Sequence, residues 1–173
     1  MTTYVALLRA INLGKTHKVP MAELRALAEG LDLARVRTLL QSGNLLFDSD
    51  SKACDVVDDL EQALRERFGF AVPVILRTAG ELESVAQAHP FAAGEGDPTR
   101  LHVVFYATEP PAEAMEKVAR RAVAPERVTV RGREAYVLYP DGAGRSRLNL
   151  DPLGLGTARN WRTVQALAEM VRQ

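Results

Sequence analysis

Val36-Arg-Thr-Leu-Leu-Gln-Ser-Gly-Asn-Leu-Leu-Phe47 reads as a strand, a turn and a second strand. Val36 to Gln41 and Leu45 to Phe47 are short apolar stretches, and Ser42-Gly43-Asn44 between them is turn chemistry. The hairpin decides the fold because a helix is expected on each side of it. Upstream, Tyr4 to Leu8 (YVALL) is a run of strand formers bounded by polar residues, read as a buried strand. Pro20 then suits the first turn of a helix. MAELRALAEGL continues that helix, with Leu24, Leu27, Ala28 and Leu31 on one face. Downstream, Asp50 or Ser51 can cap a long helix ending near Phe68-Gly69, with Val57, Leu60, Leu64 and Phe68 at helical spacing. Val72 to Leu76 is the next strand. The order β-α-β-β-α-β is the split pattern of a ferredoxin-like sandwich.

Thr78-Ala-Gly-Glu81 has the form of a capping box and predicts a short helix to about His89. The glycine- and proline-rich stretch that follows, 91–100, is the expected linker between a ferredoxin-like subdomain at 1–90 and a second α/β subdomain at 101–173. In the second part the order begins again. Leu101 to Ala107 is a strand, and Pro110-Pro111 opens a helix through Ala122. Arg127 to Val130 and Glu134 to Tyr139 form a hairpin about Gly132. Pro140 to Ser146 is a glycine-containing loop. Thr157 is placed to cap a last amphipathic helix, about Arg159 to Val171. The expected class is α+β: a ferredoxin-like β-α-β-β-α-β unit followed by a second β-α-β-β-α unit, with Tyr4 to Leu8 and Leu101 to Tyr106 as central strands.

Composition narrows the function classes. The chain has 173 residues, 47% of them apolar, with 22 basic and 22 acidic side chains. A net charge of zero argues against a general nucleic-acid or membrane binder, which carries a basic excess. No apolar run approaches the roughly 20 residues of a membrane span. No charged leader precedes the first strand, so a cytoplasmic protein is expected. Cys54 is the only cysteine, which rules out an intramolecular disulfide. It falls near Val57 on the second helix and reads as a buried, inert thiol. His17, His89 and His102 are scattered and form no metal-ligand pattern. No nucleophile elbow, Walker A loop or cofactor motif is present, and Asp58-Asp59 reads as a solvated face.

The residues that stand out are polar ones at the ends of elements. Arg9 lies where the first strand leaves the core, and its charge is costly to bury without a partner. Asn12 and Gly14 suit a tight turn. Lys15, His17 and Lys18 add donors just ahead of the helix opened by Pro20, where free N–H groups already favour an anion. An internal ion pair of Arg9 with solvated lysines explains the same residues. Gln41, Ser42 and Asn44 can be a self-bonding turn. In a ferredoxin-like order, however, strands one and three are antiparallel neighbours, which places Arg9 and Asn12 near Asn44. Gly142-Ala-Gly144-Arg-Ser-Arg147 can form an anion-binding nest or be a surface loop. Arg159 and Asn160 fall in the first turn of the expected last helix, where Arg159 opposes the helix dipole. Trp161 shares a face with Val164, Leu167 and Ala168 and reads as core.

Taken in order, YVALLRAINLG, Met21 and Leu24 on the first helix, LQSGNLLF, HPF (His89 to Phe91), the P-x-G-x-G-x-S run of Pro140 to Ser146, and TARNWRTV resemble the bacterial family called domain of unknown function 1697. The resemblance implies an α+β fold with ferredoxin-like parts and names no reaction. The chain departs from the family pattern in two places. Lys15 stands where a second glycine commonly follows Gly14, and Arg147 stands where a lysine is usual. Both changes keep or add positive charge.

The reading that follows is a small anionic ligand, of the phosphate or nucleotide class, held by Arg9, Asn12, Lys15, Gln41, Ser42, Asn44, Ser146, Arg147, Arg159 and Asn160, with no cofactor or metal expected. An enzyme acting on a phosphorylated or nucleotide substrate would use the same residues, since positioning and electrostatics carry much of phosphoryl transfer. A nucleic-acid-binding module is disfavoured by the zero net charge and by only ten aromatic side chains: one Trp, four Tyr and five Phe.

Overall fold

In the computed structural model the first strand, β1 (Thr2–Leu8), is buried on both sides. Tyr4, Ala6 and Leu8 point into a core with Leu24, Leu45, Phe47, Leu60 and Leu64. Val5 and Leu7, on the opposite face, are equally inaccessible. This is why YVALL reads as a continuous apolar run without alternation. The structure describes residues 1–91 and 97–173, so residues 92–96 of the expected linker lie outside the described residues. Among the described residues the chain divides into two compact units. One is Met1–Leu82 with Val171–Gln173, and the other is Glu83–Met170.

The first unit continues with α1 (Met21–Glu29), β2 (Ala34–Leu39), β3 (Asn44–Ser49), α2 (Ala53–Phe68) and β4 (Val74–Thr78). Its sheet has the order β2-β3-β1-β4, antiparallel throughout, which is the ferredoxin-like arrangement. Helix α2 ends at Gly69, whose φ of +80° is the left-handed cap that glycine adopts freely. Its start differs from expectation. Neither Asp50 nor Ser51 caps it; Lys52 occupies the N-cap and makes no side-chain cap bond. Asp50 is engaged by the terminal ammonium of Met1 at 2.7 Å, and the Ser51 N–H donates to Ser49 Oγ at 3.1 Å. Cys54 is also corrected: it is exposed. The buried positions of α2 are Val56, Leu60 and Leu64, and two residues back from Val56 is about 200° round the helix, on the outer face.

Helix α3 (Ala79–Gln87) follows β4 directly. Its capping box forms as the sequence implies: the Glu81 N–H donates to Thr78 Oγ1 at 3.2 Å, and the Thr78 N–H donates back to Glu81 Oε2 at 2.9 Å.

The second unit holds β5 (Leu101–Tyr106), α4 (Ala112–Arg121), β6 (Arg127–Arg131), β7 (Glu134–Leu138), β8 (Gly156–Asn160) and α5 (Trp161–Met170). Its sheet order, β6-β7-β5-β8, repeats the first with β5 in place of β1. Where the first unit has α2, the second has only two single-turn 3-10 helices, Ala143–Arg145 and Asp151–Leu153. The core under α4 is completed by Leu153 with partial help from Leu148 and Leu150.

The expected helix start at Thr157 is wrong. Gly156–Asn160 is a strand paired with β5, and Asn160 caps α5: its Oδ1 accepts from the Thr163 N–H at 2.9 Å. Thr157 and Asn160 are both good caps, and the spacing of Trp161, Val164 and Leu167 is indifferent to which one serves. The strand is chosen by pairing with β5. At Gly156 a Cβ would lie 2.8 Å from the Tyr106 ring, so glycine permits that close approach.

Candidate functional site

At the end of β1 the chain is held from two sides. The Leu8 N–H donates to Gly43 O at 2.9 Å and the Arg9 N–H to Pro73 O at 2.9 Å. Gly43 sits at φ +79°, and a Cβ there would meet Ile11 Cδ1 at 2.5 Å and Leu8 Cβ at 2.9 Å. Only glycine lets the β2–β3 turn close on Ile11 in this way. Beyond Ile11 the loop folds on Asn12. The Asn12 N–H donates to His17 O at 3.0 Å. Its side-chain Nδ2 donates to Val19 O at 2.9 Å and to Gln41 O at 2.7 Å, while Oδ1 accepts from the Val19 N–H at 2.9 Å. One amide therefore shuts the loop 12–19 and pins it to the hairpin.

Asn44 is fully buried; its Nδ2 donates to Leu39 O at 2.7 Å and to Ser42 Oγ at 3.1 Å. Of the expected approach of Arg9 and Asn12 to Asn44, the bond of Asn12 to Gln41 O at the start of the same turn is what forms, and Asn44 itself faces Leu7 across the sheet. Arg9 is exposed, so the burial cost that singled it out does not arise. Lys15 is exposed as well, one residue past Gly14, whose φ of +70° is unencumbered by any neighbour.

Asn12, Lys18, Pro20 and Gln41 line a depression of about 480 Å³. Pro20 is the N-cap of α1 and makes no side-chain cap bond. The first-turn N–H groups of α1 therefore carry no capping side chain, and Lys18 lines the depression together with the N-cap Pro20. Lys18 is the lining residue that the candidate set omitted in favour of Lys15. Its place two residues before Pro20 was the available signal.

Ser146, Arg147, Arg159 and Asn160 belong to the second unit. Three N–H groups of the glycine loop are engaged within it. Gly142 N–H donates to Tyr139 O at 2.9 Å, Arg145 N–H to Gly142 O at 3.1 Å, and Ser146 N–H to Ala143 O at 3.2 Å. Ser146 Oγ accepts from the Leu148 N–H at 3.0 Å, which makes it a turn residue. Arg147 lines a depression with Arg121, Arg145 and others, in which Arg159 and Asn160 take no part. Arg159 lies in β8, 6% exposed, with Nη1 donating to Thr157 Oγ1 and Ala158 O at 2.8 Å each. Burial draws its pKa down to about 10, which leaves it charged at neutral pH. As a strand residue it does not oppose a helix dipole.

Among the described residues, no group of three or more His, Cys, Asp or Glu side chains could hold a metal ion, and no helix is long and apolar enough to cross a membrane. A solved structure of a conserved bacterial protein from Streptococcus pneumoniae is similar in fold, with a TM-score of 0.79 and 23% identity over 98% of each chain. No curated protein matches the sequence. A family profile described as "Protein of unknown function (DUF1697)" matches residues 1–136, which takes in the RAINLG, QSGN and HPF segments and stops before the glycine loop and TARNW. The chain belongs to the DUF1697 family.

Proposed function

We propose that this protein binds a small anionic ligand of the phosphate or nucleotide class in the depression at the start of α1. The observation that carries this reading is the uncapped N-terminus of α1 opening beside Lys18 and Gln41 on a recess of about 480 Å³. That volume lies within the range of small-molecule sites, about 300–1,000 Å³. First-turn N–H groups and a lysine supply positive potential without needing a basic protein overall, in keeping with a formal net charge of zero. Gln41 offers an amide donor at the rim. Asn12 acts as a positioning residue, because its amide is engaged in holding the loop. Arg9, Lys15 and Ser42 belong to the same chain segments and contribute local charge and polarity.

Isothermal titration with inorganic phosphate and with a nucleoside monophosphate tests the reading. Saturable binding that weakens about tenfold or more in Lys18→Ala, with an unchanged melting temperature, is the expected result. Failure of both probes to bind, or binding indifferent to Lys18→Ala, overturns it.

A further inference from the structure

The two units share a topology, and they differ most where the first has α2 and the second has the loop from β7 to β8. A sixteen-residue helix is replaced there by two single turns. Beside that loop, at the end of α4, lies a depression of about 310 Å³. Arg121, Arg145 and Arg147 line it, from the last turn of α4, the first 3-10 turn and the chain just beyond it. Among the described residues, none of the three guanidinium groups has an ion pair or a side-chain hydrogen bond.

The helix dipole accounts for one of these arginines. Cations are favoured in the last turn of a helix, and Arg120 and Arg121 both lie there. Arg120 also has Glu116 at 3.4 Å. Nothing of the kind explains Arg145 and Arg147, which are outside any α-helix. Three like charges converging on one recess repel one another unless an anion joins them. Two carboxylates, Glu126 and Asp141, share the walls. They balance part of the charge, and they can only accept hydrogen bonds when ionised.

From this convergence we infer a second binding site, for a phosphomonoester carried on a hydroxylated body, as in a sugar phosphate. The guanidinium groups take the phosphate oxygens, for which their planar fork is suited. Glu126 and Asp141 accept from the hydroxyls. The exposed side chain of Val123 supplies an apolar wall at the same recess. The carboxylates also set selectivity, because a bare polyphosphate would meet them with no hydroxyl to offer.

The loop is held in shape before any ligand arrives. Arg100 Nη1 donates to Pro140 O at 3.0 Å at its root, and Ser146 Oγ closes the turn that follows Arg145. Gly142, at φ +91°, lets the chain turn within 3.1 Å of the Arg100 guanidinium, measured to where a Cβ would sit. Such preorganisation lowers the entropy lost on binding.

The test uses the full chain carrying Lys18→Ala, so that the depression at α1 does not contribute. Titration with ribose 5-phosphate is expected to show one saturable site. Arg145→Ala with Arg147→Ala should weaken it about tenfold or more, and Arg121→Ala alone by a similar factor. Asp141→Asn should weaken ribose 5-phosphate while leaving or raising affinity for inorganic phosphate. All four side chains are exposed, so melting temperatures should hold. Absence of ribose 5-phosphate binding in the Lys18→Ala protein, or binding indifferent to the arginine substitutions, overturns the inference. Neither result touches the reading of the α1 depression, which is tested by the phosphate affinity lost between the unsubstituted protein and Lys18→Ala.

Discussion

Arg77 and Arg159 stand at the same place in two sheets. Arg77 of β4 pairs with Val5 of β1, and Arg159 of β8 pairs with Val103 of β5. Both are buried, and each Nη1 donates to the carbonyl of the preceding residue at 2.8 Å, Leu76 O in one case and Ala158 O in the other. The residue after each, Thr78 or Asn160, accepts from a first-turn N–H and caps the helix that follows. Strand order, register, buried arginine and cap recur together, although the two halves share little recognisable sequence. The chain is built as one topology used twice.

Arg159 should therefore be structural. Arg159→Ala removes the donor from Ala158 O and from the Oγ1 of Thr157, which is left buried without it. A loss of about 1.5–3 kcal/mol is expected, read from the midpoint shift in urea unfolding. Arg159→Lys should recover only part of it, because an ammonium lacks the guanidinium fork. An unchanged midpoint in Arg159→Ala would refute the structural role.

Asn12 joins three backbone groups at two positions with one amide, so Asn12→Ala should release the loop 12–19 from Gln41 and open its closure at Val19. About 1–3 kcal/mol of stability should be lost. Hydrogen exchange should quicken at the Val19 N–H, whose acceptor is gone. Phosphate affinity at the α1 depression should fall along with it. Asn12→Asp retains the acceptor for Val19 and should restore exchange protection there without restoring the donors to the carbonyls.

Asp48 carries the clearest pH signature. Burial works against its ionisation, but hydrogen bonds from Arg35 and Thr3, with the charges of Arg35 and Arg37, outweigh it and hold the carboxyl below its ordinary pKa. The unfolded chain therefore binds this proton more readily than the folded one. The stabilisation is complete above the unfolded value of about 3.9 and is lost as pH falls through the lower folded value. Asp48→Asn should lower stability at neutral pH, and the gap to the parent protein should narrow in that acid window. A gap independent of pH would show that the ionised form is not what matters.

Trp161 is 6% exposed, and the His89 ring meets it edge-on with centroids 4.8 Å apart. Trp161→Ala should cost about 3–5 kcal/mol by opening a cavity against Val164 and its neighbours. His89→Ala should cost less, about 0.5–1.5 kcal/mol, since the edge-on ring contacts with Trp161 and Phe91 and the bond from the Phe91 N–H to His89 Nδ1 are lost without a large cavity. Thermal unfolding of the two single variants and the double variant gives the coupling directly. Additive losses would show that the rings do not interact.

The residue order by itself determined those features whose physics is local. YVALL is a continuous apolar run and Leu101 to Tyr106 one broken only by His102, and they became the central strands, with buried residues on both faces. Thr78 and Glu81 are three residues apart, so their reciprocal bonds could be read directly. Tertiary structure decided the rest, because the deciding partners are distant in the chain. Residues 156–160 are a strand only because β5 is there to pair with them; alone, Thr157 is as good a helix cap as Asn160. The amide of Asn12 is engaged by residues 7 and 29 positions away, which no local pattern reveals. The register of α2 buried Val56 and so turned Cys54 outward. The meeting of Arg121 with Arg145 and Arg147 required α4 and the loop after β7 to fold to one side of a sheet, and hydrophobic burial of Val118 and Leu153 beneath them supplies the force that brings them there.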